Sequence, residues 1–84
     1  MYVKVISATG ILFKGEVTLL KAPAVHGLVS FYGSPSPCVM ALQEGEVFLK
    51  PEPKDGETFE DKTFFIKEGY LHITYDKAQI IVNS

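Results

Sequence analysis

The residues able to do chemistry are few and widely spaced. His26 and His72 lie 46 positions apart, and Cys38 is the only cysteine, so no zinc-ligand spacing exists. The seven glycines sit singly at turn-like positions, and no Gly-x-x-x-x-Gly-Lys-Ser/Thr phosphate loop appears. Nothing resembles a nucleophile elbow. Glu44/Glu46 and Glu60/Asp61 are paired carboxylates beside turns, where a solvated surface is the plain reading. His72 alternates with Tyr70 and Thr74 on an outward strand face, and Cys38 opens a strand as a small packed hydrophobe. No catalytic, metal or cofactor site is expected. The reading is of a binding module.

Composition bounds the classes further. Eight Lys against ten Asp plus Glu leave a net charge of −2, and Arg is absent. Nucleic-acid recognition leans on Arg's planar fork and on basic patches, so nucleic acid is excluded as a partner. Apolar runs of three residues (Ile11 to Phe13, Phe64 to Ile66) and at most five (Cys38 to Leu42) fall far short of the ~20 residues that span a bilayer. The N-terminus shows no charged stretch leading into an apolar core, and a soluble chain without direct membrane insertion is expected. The 84 residues suffice for one domain, burying about 63% of the extended chain's surface. An apolar content of 46% rules out intrinsic disorder, and the lone Cys rules out a disulfide scaffold.

The elements that must carry any site follow a period of two. Val3/Val5, Val17/Leu19, Val47/Leu49, Leu71/Ile73 and Ala78/Ile80/Val82 each alternate with neighbours on the opposite face. No window keeps a helical stripe without meeting Gly, Pro or a β-branched cluster. Eight strands are predicted near 2–8, 11–22, 27–33, 37–42, 45–50, 61–67, 69–75 and 78–83. Gly45 and Gly69 are read as turn glycines with positive φ, Gly15 as a bend in a long strand, and Asp76-Lys77 as a short hairpin. Ser34 to Pro37 and the polar stretch 51–60, with its Asp-Gly pair, are loops. Short strands at this spacing predict an all-β, two-sheet antiparallel sandwich in a single domain spanning 1–84. Leu20, Leu28, Phe48, Phe65 and Ile81 fall opposite the best core positions, and a contiguous patch of them would mark a protein interface.

The order of motifs resembles the epsilon subunit of the F-type ATP synthase. Val3 to Val17, with Ser7-Ala8-Thr9-Gly10 and Phe13-Lys14-Gly15-Glu16-Val17, is similar to that family's opening strand, Thr-Pro-x-Gly and Phe-x-Gly-x-Val. Leu20 to Pro23, Gly27, Pro37 to Leu42, Gly45 and Ile66 to Leu71 match later motifs in order. The family's Leu-Pro-Gly-His-Ala-Pro loop is Tyr32 to Pro37 here, so Pro35 stands in the place of its His. His26 and Leu28 replace the Glu residues that flank its loop glycine.

The resemblance implies a sandwich of up to ten strands, so eight to ten are expected. It implies a non-catalytic central-stalk subunit, peripheral on the cytoplasmic face of the bacterial inner membrane or the equivalent organellar side. Such a subunit links the gamma subunit to the membrane c-ring and couples proton flow to ATP synthesis elsewhere. By motif position, Ser7, Pro35 and Met40 would lie toward gamma, and Val25, His26 and Leu28 toward the ring. The family's C-terminal helical hairpin would be missing, and with it nucleotide binding and regulation. Two rivals stand beside this. A lipoyl or biotinyl carrier would use Lys77 of Tyr75-Asp76-Lys77-Ala78 as its acceptor, although only seven residues follow it. A generic β-sandwich adaptor would bind a partner of another kind.

Overall fold

Alternating β-branched and polar residues leave one face of each run apolar, and burying those faces against each other builds the molecule. The computed structural model describes residues 1–75 and 77–83. Eight strands form among them: β1 (Tyr2–Ser7), β2 (Gly10–Ala24), β3 (Gly27–Tyr32), β4 (Cys38–Leu42), β5 (Gly45–Pro51), β6 (Lys62–Ile66), β7 (Glu68–Thr74) and β8 (Lys77–Asn83). All eight runs read from the alternation become strands, the lower end of the range expected.

The long β2 belongs to both layers. Its first half, to Glu16, pairs antiparallel with β1, which runs parallel to β8; β7 and β4 complete that layer. From Val17 onward β2 pairs instead with β5 and β3, and β6 flanks β5 in the second layer. The Ala24–Leu42 pair joins the far end of β2 back to β4. Gly15 sits just before this change of partner, which accords with the bend read from the sequence.

Between the layers lies one apolar core. Val3, Val5, Leu71, Ile73 and Ile80 come from the first layer, and Val17, Leu20, Val47, Leu49 and Ile66 from the second, all essentially buried. Each such side chain contributes roughly 1.5–3 kcal/mol by leaving water. No polar side chain is buried among the described residues.

Two sequence readings need correction. Leu20 was expected on the face opposite the core, yet it is fully buried while Leu19 is only partly so. A bulge in the β2–β5 ladder between Val17 and Leu19 shifts the alternation by one residue, so Leu20, Ala22 and Ala24 follow Val17 into the core. Gly69 was expected at a reversal with positive φ, but it lies inside β7 opposite Leu42 and Val82. Its reason is close approach: a Cβ there would stand 2.5 Å from the Ile81 carbonyl oxygen.

The other turns follow the reading, except that Pro51, read as the start of the 51–60 loop, closes β5 opposite Val17 and is buried. Val25 and His26 form a two-residue tip closed by the Ala24–Gly27 pair, and Gly27 has φ 126°. In the 52–61 loop, Asp55 and Gly56 both take positive φ between the mutually bonded Lys54 and Glu57, a type I′ turn. Thr74 pairs with Lys77 across the last hairpin. Of the Asp76-Lys77 joint, Asp76 lies outside the described residues.

Candidate functional site

Register decides which side chains stand together on the outside. Because β1–β8–β7–β4 are aligned pair by pair, Ile6, Ile81, Tyr70 and Ala41 form one rung across four strands. Ile11 extends it on β2, opposite Ile6. Their partners one position along, Val5, Ile80, Leu71 and Met40, point the other way into the core. The outer rung is wet: Ile11 is 53% exposed, Ile81 52% and Tyr70 63%. Five neighbouring positions with no charge among them form a continuous apolar surface of the kind that marks a docking face. The alternation by itself indicated Ile81 and Tyr70 as outward, but not that they are neighbours. Ile6, Tyr70 and Ala41 join it only through strand order, which no local pattern encodes.

The β2–β3 tip abuts this rung. The Val25 amide donates to the Ala41 carbonyl at 3.3 Å, the Gln43 amide donates to Pro23 at 2.8 Å, and the Gln43 side chain donates to Ala24 at 3.0 Å. Val25, His26 and Leu28 are thus brought together as one exposed cluster at the hairpin tip and its exit.

Ser7, Pro35 and Met40 are not gathered in the same way. The Ser7 hydroxyl is spent inside the β1–β2 turn, bonding the Thr9 hydroxyl at 3.0 Å and the Gly10 carbonyl at 3.2 Å. Met40 lies three strands away, on the inner side of β4, half-buried and packed on the core. Pro35 is half-buried in the loop before β4.

The second layer also exposes apolar side chains. Leu28, Tyr32 and Phe65 are exposed, whereas Phe48 is half-buried with the Lys21 ammonium 5.7 Å above its ring. A cleft of about 580 Å³ lies between the 52–61 loop and the β1–β2 edge, walled by Tyr2, Phe13 and Phe59. Neither histidine nor Cys38 reaches it. Cys38 packs half-buried against the core, and His26 and His72 are exposed. Among the described residues no group of three or more His, Cys, Asp or Glu could hold a metal ion. None of the described elements is a helix long and apolar enough to cross a membrane.

The whole stretch 1–84 matches the family described as ATP synthase, delta/epsilon chain, β-sandwich domain. The chain belongs to that family. Curated relatives agree: it is 32% identical over 73 residues to ATP synthase epsilon chain 1 of Methylococcus capsulatus and 34% identical over 73 residues to the epsilon chain of Nitrosococcus oceani. Each match covers 87% of this chain and 49% of the relative, so the chain spans about half their length. The Chlorobium limicola epsilon chain is 27% identical over 77 residues, and 92% of this chain covers 82% of it.

Among solved structures, a chain of the Tetrahymena thermophila mitochondrial ATP synthase central stalk and c-ring superposes with a TM-score of 0.78. It is 14% identical, and all of this chain covers 63% of it. A chain of the Euglena gracilis mitochondrial ATP synthase gives a TM-score of 0.81 at 14% identity, with 98% of this chain on 49% of it. At that identity the likeness establishes the fold alone. Membership in the delta/epsilon family favours neither rival. Lys77 in particular is laddered between Thr74 and Tyr2 as the first residue of β8, instead of standing at a free hairpin tip as a carrier lysine would.

Proposed function

We propose that residues 1–84 are one epsilon-type β-sandwich domain acting as a non-catalytic central-stalk subunit of a proton-transporting ATP synthase. It fastens the gamma subunit to the membrane c-ring, so that ring rotation driven by proton flow reaches catalytic sites on other subunits. The complex places it peripherally, on the cytoplasmic face of a bacterial inner membrane or its organellar counterpart. The observation that carries this reading is the outer apolar rung Ile6–Ile81–Tyr70–Ala41, an uncharged outward face on a domain of the ATP synthase delta/epsilon family. That rung seats gamma, with Ser7 at its β1 end. The adjoining Val25, His26 and Leu28 cluster faces the ring.

Met40 supports the gamma face from behind, and Pro35 lies in the loop that leads into β4. Met40 is half-buried on the core side, so its packing holds β4 and the outward Ala41 in place. The informative variant is therefore Ile81→Glu, because Met40→Glu would place a charge against the core and disturb the fold itself.

The test is a binding measurement between this chain and the gamma subunit from the same genome. The parent chain should bind. Ile81→Glu should weaken binding at least ~10-fold while leaving thermal stability nearly unchanged. Absence of binding by the parent would sink the stalk reading, and full binding by Ile81→Glu would move the interface off this face.

A further inference from the structure

The face that carries the apolar rung becomes basic toward one side. One rung along, register aligns Lys14, Lys4, Gln79, His72 and Val39 on β2, β1, β8, β7 and β4. The rung beyond it holds Glu16, Tyr2, Lys77 and Thr74. Lys4 and Lys14 are direct cross-strand partners, an arrangement in which like charges share a face about 5 Å apart at Cβ and repel.

Among the described residues no carboxylate forms an ion pair with them, although Glu16, Glu52 and Glu60 line the same cleft as Lys14. The chain is acidic overall, and five of its ten carboxylates, Glu52, Asp55, Glu57, Glu60 and Asp61, lie in the 52–61 loop, which faces Lys14 across that cleft but not Lys4 or Lys77. Glu16, on the farther rung, is engaged by the Met1 amino group at 3.2 Å. Glu68 stands on this face beyond the apolar rung, at the opposite end of β7 from Thr74, and meets the Asn83 amide. Among the described residues Lys4, Lys14 and Lys77 make no ion pair. Asp76, which precedes Lys77, is outside those residues.

The ammonium groups do not stand alone. A shallow cavity of about 350 Å³ is bordered by Tyr2, Lys4, His72, Thr74, Lys77 and Gln79, so hydroxyl and amide groups accompany the charge. Lys14, Lys4 and Lys77 are spread over three adjacent strands, two strand spacings or about 10 Å across. That is too wide for one phosphate to neutralise. It suits a row of carboxylates, and lysine, a point charge without a fork, serves such a row well. The basic rungs are also continuous with the apolar one, so a partner covering Ile6 and Ile81 would meet them at its edge.

We propose that Lys4, Lys14 and Lys77 receive an acidic segment of the same polypeptide that docks on the apolar rung. This rests on the docking reading above and adds the partner's charge to it. A mutually repelling lysine pair then becomes an attractive element on contact, and it steers association.

The experiment measures association rates with the gamma subunit at about 50 and about 500 mM NaCl. The parent should associate ~10-fold faster at low salt. The Lys4→Gln/Lys14→Gln double variant should lose most of that acceleration, with melting confirming that it folds. A double variant with the parent's rate and salt dependence overturns the proposal while leaving the docking reading intact. If the parent does not bind gamma, the docking reading fails, and hexaglutamate added to the isolated chain tests the basic rungs alone. Amide NMR shifts at Lys4, Lys14, His72 and Lys77 that vanish in high salt support the proposal, and their absence overturns it. Equal shifts with inorganic phosphate at matched charge would also overturn it, as a phosphate site.

Discussion

Substituting Leu20 and Leu19 separately with Ala tests the register on which every outward face depends. Leu20 is completely buried among core residues, so Leu20→Ala removes three buried carbon groups and leaves a cavity. At about 0.8 kcal/mol per methylene the transfer part is ~2.4 kcal/mol, and the cavity brings the total to roughly 3–5 kcal/mol. Leu19, half-buried on the outer side beside Tyr32, should cost about 1 kcal/mol or less. For a chain of this size each kcal/mol lowers the midpoint of melting by about 4–8 °C. Thermal melts followed by circular dichroism should therefore show Leu20→Ala falling by more than ~12 °C and Leu19→Ala by less than ~8 °C. Urea titration should reproduce the order with an unchanged slope. An equal or larger loss for Leu19→Ala would mean that the alternation runs unbroken from Val17, and the outer surface of the second layer would have to be redrawn.

Gly69→Ala should destabilise the chain by about 1–3 kcal/mol in urea titration, because the new methyl meets the Ile81 carbonyl oxygen. Lys4→Glu should raise stability by about 0.2–1 kcal/mol, as a repelling cross-strand pair becomes attractive, and the gain should shrink in high salt. Gln43→Ala should cost about 1 kcal/mol, visible as faster amide exchange around Ala24 and Val25, since it removes the one side-chain bond among the three that tie the β2–β3 tip down.

Much of the fold was legible because alternation is a local signal. Val3/Val5, Val47/Leu49, Leu71/Ile73 and Ala78/Ile80/Val82 needed only their own neighbours to declare a buried face, and all are buried. Leu20 was not legible because a bulge is set by the partner strand, and nothing in Val17-Thr18-Leu19-Leu20 announces the slip. Gly69 misled for a similar reason: its neighbour in space is Ile81, twelve residues away. Of the candidate site, Ile81 and Leu28 were visible as apolar residues on outward positions. The rung joining Ile6 to Tyr70 and Ala41, and the pairing of Lys4 with Lys14, exist only once β1 lies beside both β2 and β8.

That placement of β1 has a mechanical side. β1 and β8 run parallel and share five register pairs, from Tyr2–Lys77 to Ile6–Ile81. Tension drawing Tyr2 one way and Asn83 the other loads the hydrogen bonds between them sideways and all together, instead of peeling them open one at a time. β1 is also clamped on its other edge by β2, whose backbone continues into the second layer. A pull on either layer is therefore passed to the other along a single covalent strand. The sandwich is built to be strained as one body, as a rotating stalk would require.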